Sequence, residues 1–393
     1  MEFILRQIHK AGVFGWLYVA NLALGFHFFS VQFLNSSFLS TFIPEREVGL
    51  LFAVSAVLAL IALSIVTLIL ARIGNYRTVL IASLLDLVAV LGLAFSHNPG
   101  ILVVCFAAYS LLIPVMLFTL DVFLESGMTD EESTGNTRGI FLSLGTLAAL
   151  LAPVLGGYIA GEEAQYQYVY LVSSLFLLPF IAILITKYQD FADPVYQVFS
   201  PVRTLVTVLR DGNVFHIAAA QFLMRFFFSW MVIYMPIYLH TTVGFSWPQI
   251  GVVLFIMLVP YILIEWPAGM LADGLFGEKE LLVLGFVLTA TATASLSFIT
   301  APSVMLWGSV LFVTRMGTAL IESMTETYFF KHVDGDDIDM IGFFRMLRPL
   351  AFFLGPLVAT LTLLVVSMQD LWLVLALIMT LGLVHTYKLV DTK

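Results

Sequence analysis

Apolar residues in this chain run in long uninterrupted blocks, without the alternation of a half-buried strand or the one-sided stripe of a soluble helix. Twelve blocks can be marked, at about 13–42, 48–71, 78–96, 101–124, 139–160, 167–186, 214–239, 248–272, 281–300, 303–329, 341–367 and 371–388. A helix needs about 20 apolar residues to cross about 30 Å of hydrocarbon, and these blocks have that length. Continuous apolar runs argue against a transmembrane β-barrel, whose strands alternate. The pattern therefore predicts an all-α polytopic membrane protein with twelve transmembrane helices. The stretch from Met1 to Lys10 is short and polar, and the run after it is too long for a leader and lacks a small-residue cleavage site, so it reads as a first span.

The longest connection, about Tyr188 to Asn213, separates spans six and seven. It divides the chain into an N-terminal six-helix bundle (1–187), a cytoplasmic linker (188–212) and a C-terminal six-helix bundle (213–393). Within the linker, Ser200-Pro201 has the form of a helix cap and first helical residue. Val202, Leu205, Val206 and Leu209 follow at helical spacing, with Arg203 and Arg210 off that stripe. The segment is expected to lie as a short amphipathic helix on the membrane face; a plain linker is the alternative.

Composition narrows the class. Of 393 residues, 61% are hydrophobic and 11% charged, against about 25% charged in soluble domains. With a mean hydropathy of +1.02, a soluble domain, a disordered chain and a nucleic-acid binder are excluded. Cys105 is the only cysteine, which excludes internal disulfides and cysteine metal sites. No phosphate-binding glycine loop, His/Cys cluster or serine triad pattern is present, so no cofactor, resident metal or enzymatic activity is expected. Cytoplasmic loops collect Lys and Arg. With both termini inside, twelve basic residues fall on the cytoplasmic side and Arg46 alone outside, while Arg225, Arg315, Arg345 and Arg348 lie within spans. That bias implies an even number of spans and cytoplasmic termini, in the plasma membrane.

The two halves repeat at an offset of about 203 residues. Gly139, Ala148, Ala152, Pro153 and Gly156 of span five correspond to Gly342, Ala351, Gly355, Pro356 and Ala359 of span eleven, and Gly74 corresponds to Gly277. Duplicated helical bundles characterise transporters. The run Gly139-x8-Ala148-x3-Ala152-Pro153-x2-Gly156-Gly157 resembles the fifth-helix motif of the major facilitator superfamily, with alanine at two glycine positions. Gly269 to Lys279 is similar to that superfamily's loop signature, with one extra residue. Its first-half counterpart, Leu70 to Arg77, has Ala71 where an acidic residue is expected. The resemblance implies two pseudo-symmetric six-helix bundles, with spans one, four, seven and ten lining a central cavity. It also implies that Gly139, Pro153, Gly156, Gly157, Gly342 and Pro356 form the packing helices flanking the inter-half interface. Asp273 would brace the start of span five there, with Arg138 as countercharge, and Arg72, Gly74 and Gly277 would complete a cytoplasmic gate.

Charges inside spans carry the most information, because each costs at least about 2.5–3.5 kcal/mol at mid-bilayer and should face protein or a water-filled cavity. Arg315, Glu322 and Glu326 share one face of span ten, and Asp121 and Glu125 end span four. Span seven places Gln221 and Arg225 one turn apart, and span one offers Asn21, Gln32 and Asn35 near one stripe, with His27 off it. Depth separates them. Glu322, Arg225 and Arg315, with Gln221, Gln32, Asn35 and Asn21, form the expected substrate and coupling set. Asp121, Glu125 and Glu326, with Arg345 and Arg348, form an expected inner-end charge network. Asp86 and Glu265 fall on spans three and eight, nearer the supporting shell.

These features suggest a monomeric secondary active transporter of a small molecule, proton-coupled, with export or antiport slightly favoured. Uncoupled facilitation and uptake symport are the alternatives within transport. A receptor or lipid-translocating protein on the same scaffold is the alternative outside it.

Overall fold

A computed structural model describes the backbone of residues 2–127, 131–196, 201–274, 277–332 and 338–390; side chains are described within these except at 2–13, 45–46, 131–136, 201–203, 265–266, 268–274, 330, 338–339 and 341. Fourteen helices make up the described residues, with no strand among them. They are α1 (Glu2–Gln32), α2 (Asn35–Ser40), α3 (Glu45–Ile73), α4 (Asn75–Phe95), α5 (Pro99–Gly127), α6 (Glu131–Ala160), α7 (Tyr166–Lys187), α8 (Pro201–Arg210), α9 (Gly212–Thr241), α10 (Trp247–Gly274), α11 (Glu278–Leu296), α12 (Val304–His332), α13 (Ile338–Thr362) and α14 (Leu371–Tyr387). Eleven are long and apolar enough to cross a membrane. The 17 residues of α14 reach about 26 Å at 1.5 Å per residue, close to the hydrocarbon thickness. Val88, Phe95, Val104 and Leu377 stand exposed on helix flanks, where lipid rather than water is the compatible solvent.

The first apolar run is two helices, not one. Asn35-Ser36-Ser37 supplies side chains that compete for backbone hydrogen bonds, so α1 stops at Gln32 and α2 restarts at Asn35. Asn35 therefore leaves the stripe that carries Asn21 and Gln32.

The chain divides into two compact units, one of Met1–Phe38 with Ile61–Val198 and the other of Leu39–Leu60 with Phe199–Lys393. In the first unit α1 packs on α5, α6 and α7, and α4 on α5 and α7. A side chain at Gly156 would place its Cβ 2.4 Å from the Ser30 carbonyl oxygen, so that glycine sets how closely α6 approaches α1. In the second unit α12 packs on α9, α10 and α11, and α9 on α13 and α14. Helices α4 and α11 begin at Asn75 and Glu278, and Pro153 and Pro356 both lie inside helices, matching the repeat offset read from sequence.

Helix α8 occupies the linker. Leu205, Val206 and Leu209 are exposed along it while Thr204 and Val208 are buried, and it packs on α9 and α13. One apolar face is thus unpartnered, the form of an interfacial helix. Ser200 and the side chains of Val202 and Arg203 lie outside the described residues.

Candidate functional site

In the second unit, Asp211 caps α9 by accepting hydrogen bonds from the amides of Asn213 and Val214 at 3.0 and 3.1 Å. Two polar ties join α9 to α12. The Thr325 hydroxyl donates to Gln221 Oε1 at 2.8 Å, and one turn along α9 the Arg225 Nη2 meets Glu322 Oε1 at 2.8 Å. Gln221 is buried, whereas the side chains of Arg225 and Glu322 remain 17% and 20% exposed. The ion pair is therefore partly open to its surroundings, while Gln221 is not.

Arg315 lies two helical turns from Glu322 on α12 and is 3% exposed. Its guanidinium sits 4.6 Å from the Phe228 ring centroid and 5.6 Å from that of Phe227, a cation–π arrangement that gains strength in a desolvated site. Its Nε has no hydrogen-bond partner among the described residues. Tyr261 of α10 closes this side, its hydroxyl 3.2 Å from Thr318 Oγ1. Arg348 of α13 is exposed. The second unit thus places Arg225, Arg315 and Glu322 on α9 and α12, with Glu326 one turn further along α12; the Glu265 side chain lies outside the described residues.

Asn21 and Asn35, also expected in the cavity, make interhelix hydrogen bonds. Asn21 Nδ2 donates to the Phe141 carbonyl at 2.7 Å, tying α1 to α6. Asn35 Oδ1 accepts from the Tyr170 hydroxyl at 2.7 Å. Gln32 is half-buried, and its Oε1 has no hydrogen-bond partner among the described residues.

Of the inner-end charges, Glu125 and Arg138 approach to 3.8 Å, with side chains 50% and 46% exposed, a solvated pair of small energetic weight. Asp121 is half-buried at the end of α5, and Glu326 and Arg345 are exposed on α12 and α13. Pro153, Gly156, Gly157 and Pro356 are buried, Gly342 is half-buried, and Gly139 is exposed with open space around it.

Among gate residues, the side chain of Asp273 lies outside the described residues. Arg72 is exposed in the last turn of α3. Gly277 is buried before α11, its amide donating to Glu280 at 3.1 Å. Gly74 adopts φ +85, a conformation that favours glycine, and introduces α4. There the structure shows a carboxylate that sequence inspection passed over. Asp193 Oδ1, from the segment after α7, accepts the Asn75 amide at 2.7 Å and the Tyr196 hydroxyl at 2.5 Å. Burial first, and then the Asp193 carboxylate, push the Tyr196 phenol above the ordinary tyrosine pKa, so it stays a donor. The first-half loop lacks an acid at Ala71, and Asp193 brings one to the adjacent helix start from elsewhere in the same unit. The available signal was Asp193-Pro194, a turn-forming dipeptide.

A second juxtaposition was also underweighted. His27 Nε2 of α1 lies 2.8 Å from Asp86 Oδ2 of α4, with both side chains 0% exposed. His27's position off the polar stripe of span one was the available cue, because a side chain off that stripe faces the helices behind. No cluster of three or more metal-ligating side chains occurs among the described residues.

The profile of the Major Facilitator Superfamily matches residues 16–334. No curated protein sequence matches the chain. Among solved structures, a crystal structure of the nucleoside transporter NupG, as a point mutant, is similar at a TM-score of 0.77 and 12% identity, covering 95% of this chain and 99% of that one. A bacterial homologue of the human lysosomal transporter Spinster, inward-facing and unoccupied, is similar at a TM-score of 0.72 and 10% identity, covering 96% of this chain and 95% of its own. At these identities the likeness establishes the fold. Together with the span pattern and the profile match over most of its length, it places the chain in the Major Facilitator Superfamily, as a multi-pass membrane protein and a secondary transporter rather than an enzyme.

Proposed function

We propose that the chain is a proton-coupled transporter of a small solute bearing an acidic group, working by alternating access in the plasma membrane as a monomer with both termini cytoplasmic. The carrying observation is the partly exposed Arg225–Glu322 pair on α9 and α12. In a poorly hydrated site an arginine keeps a nearby carboxylate ionised, and a carboxylate that loses its arginine takes up a proton. An acidic solute that engages Arg225 releases Glu322, and the released Glu322 is protonated. Solute occupancy and proton occupancy are thereby linked through one ion pair. Arg225 and Arg315, one paired with Glu322 and the other buried against Phe227 and Phe228, suit an anionic or amphiphilic cargo. Solute and proton held together at this pair travel together, so this linkage supports symport, whereas the resemblance of α6 to the fifth-helix motif is the one feature that favours exchange.

The test begins with thermal stabilisation of the purified chain across a metabolite and drug library. Flux of each stabilising compound is then measured in proteoliposomes under an imposed pH gradient. Glu322→Gln is expected to bind and exchange solute but to lose pH-driven accumulation. Full accumulation by that variant removes Glu322 from coupling, and equilibration without accumulation by the unaltered chain favours facilitated diffusion.

A further inference from the structure

We infer that the first unit carries a proton-binding site of its own, formed by His27 and Asp86 and distinct from the Arg225–Glu322 pair. The geometry fixes where hydrogens can be. The Ser173 hydroxyl lies 2.8 Å from the His27 carbonyl oxygen, which can only accept, so the single hydroxyl hydrogen is committed there. The same Ser173 Oγ lies 2.8 Å from His27 Nδ1, and the Ser173 carbonyl oxygen lies 3.1 Å from it. Both neighbours of Nδ1 are therefore acceptors, and Nδ1 carries a hydrogen.

That assignment leaves Nε2 facing Asp86. Two lone pairs at 2.8 Å repel, so one proton must lie between Nε2 and Oδ2. Its carrier follows from the surroundings. Neither Nε2 nor either Asp86 oxygen has a well-aligned hydrogen-bond partner among the described residues. An ion pair sealed from water is costlier than a neutral acid beside a neutral imidazole unless further hydrogen bonds hold the charges, and Asp86 Oδ1 has none among the described residues. The proton sits on Asp86 Oδ2, and the pair is neutral as a whole.

The surroundings supply no alternative counterion. Helix α5 presents Tyr109, whose ring meets the His27 ring edge-on at 5.9 Å and whose hydroxyl points to the Phe28 carbonyl at 3.5 Å. Helix α7 presents Ser173, and Tyr170 with its hydroxyl spent on Asn35. Helix α6 carries its charged residues, Glu131, Glu132 and Arg138, in its first eight positions and has none after Arg138. A purely structural tie would be expected to satisfy its polar atoms, as Asn21 and Gln221 do. This pair spans α1 and α4 with its carboxyl under-satisfied, the condition in which a modest helix shift admits water. Deprotonation breaks the Oδ2–H bond, delivers the proton to water and leaves a carboxylate that water must solvate. The first unit thus holds a proton while the His27 and Asp86 side chains face each other and releases it when they part.

The test needs no substrate. Infrared difference spectra are recorded on the full chain reconstituted in lipid, from about pH 5 to about pH 10, a range that lies above ordinary carboxyl titration and brackets that of imidazole. A carboxylic-acid carbonyl band is expected at neutral pH and is bleached at the alkaline end. Asp86→Asn loses it, and Glu322→Gln keeps it. His27→Gln retains the band to higher pH, because the carboxyl has lost its neighbouring base, and this variant carries the test should Asp86→Asn fail to fold. Absence of any band specific to Asp86 overturns the proposal. So does a band that persists unchanged through the whole range, or one whose pH dependence is the same with and without His27. Success or failure of Glu322→Gln in flux assays leaves this outcome untouched, so the two readings stand or fall separately.

Discussion

The Arg225–Glu322 pair makes a quantitative demand on stability as well as on transport. An exposed ion pair contributes about 0–1 kcal/mol, whereas removing one partner of a buried pair costs about 3–5 kcal/mol through the charge left behind. With side chains only 17% and 20% exposed at 2.8 Å, this pair belongs nearer the buried limit, at about 2–3 kcal/mol. The two single substitutions should not be equivalent. Glu322→Gln leaves Arg225 without that carboxylate, and an arginine cannot discard its proton. Arg225→Gln leaves a carboxylate that can take one up. Glu322→Gln should therefore cost the larger amount at every pH, whereas Arg225→Gln should recover stability on acidification. The double variant should be more stable than the sum of the singles by about 2–3 kcal/mol, about 30- to 150-fold in the unfolding equilibrium. Equilibrium unfolding of the full chain in mixed micelles, run as a double-mutant cycle at two pH values, measures both effects. Additivity within about 0.5 kcal/mol, or equal pH responses of the singles, refutes the reasoning.

Two further substitutions test the first unit. Asp193→Ala should cost about 1 kcal/mol, the usual worth of a side-chain acceptor at a helix start, and speed amide exchange at Asn75. Asp193→Asn keeps an acceptor and should cost less, so equal losses would argue against the cap. Gly156→Ala places a Cβ 2.4 Å from the Ser30 carbonyl; backbone cannot rotate away, so α1 and α6 must separate, at about 1–3 kcal/mol, read as a lowered melting temperature. Gly139→Ala, where nothing lies within 4 Å, is the matched control and should cost no stability, gaining up to about 1 kcal/mol from helix propensity.

The membrane class and the succession of long apolar helices were legible from residue order, because hydrocarbon imposes one requirement on every crossing segment: about 20 apolar residues with their backbone polar groups satisfied internally. Prolines and glycines recurring at one offset were readable for the same reason, since they act through the local backbone. The break between α1 and α2 was less visible. Asn35-Ser36-Ser37 signals a cap, yet the apolar residues on either side run on as though unbroken. Glu322 and Arg225 were legible as a matched pair only in the sense that both had to face inward.

Which inward-facing groups meet is decided by how helices rotate and pack, and no spacing along the chain encodes that. Asn21, Asn35 and Gln221 share the polarity of cavity residues but close interhelix hydrogen bonds. Asp193 reaches the start of α4 across 118 positions. His27 and Asp86 looked like unrelated shell residues until α1 and α4 brought them to 2.8 Å. Hydrophobicity is a property of each segment alone and can be read segment by segment. Partnership belongs to pairs of side chains, and packing fixes it by charging several kcal/mol for every buried polar group left without one.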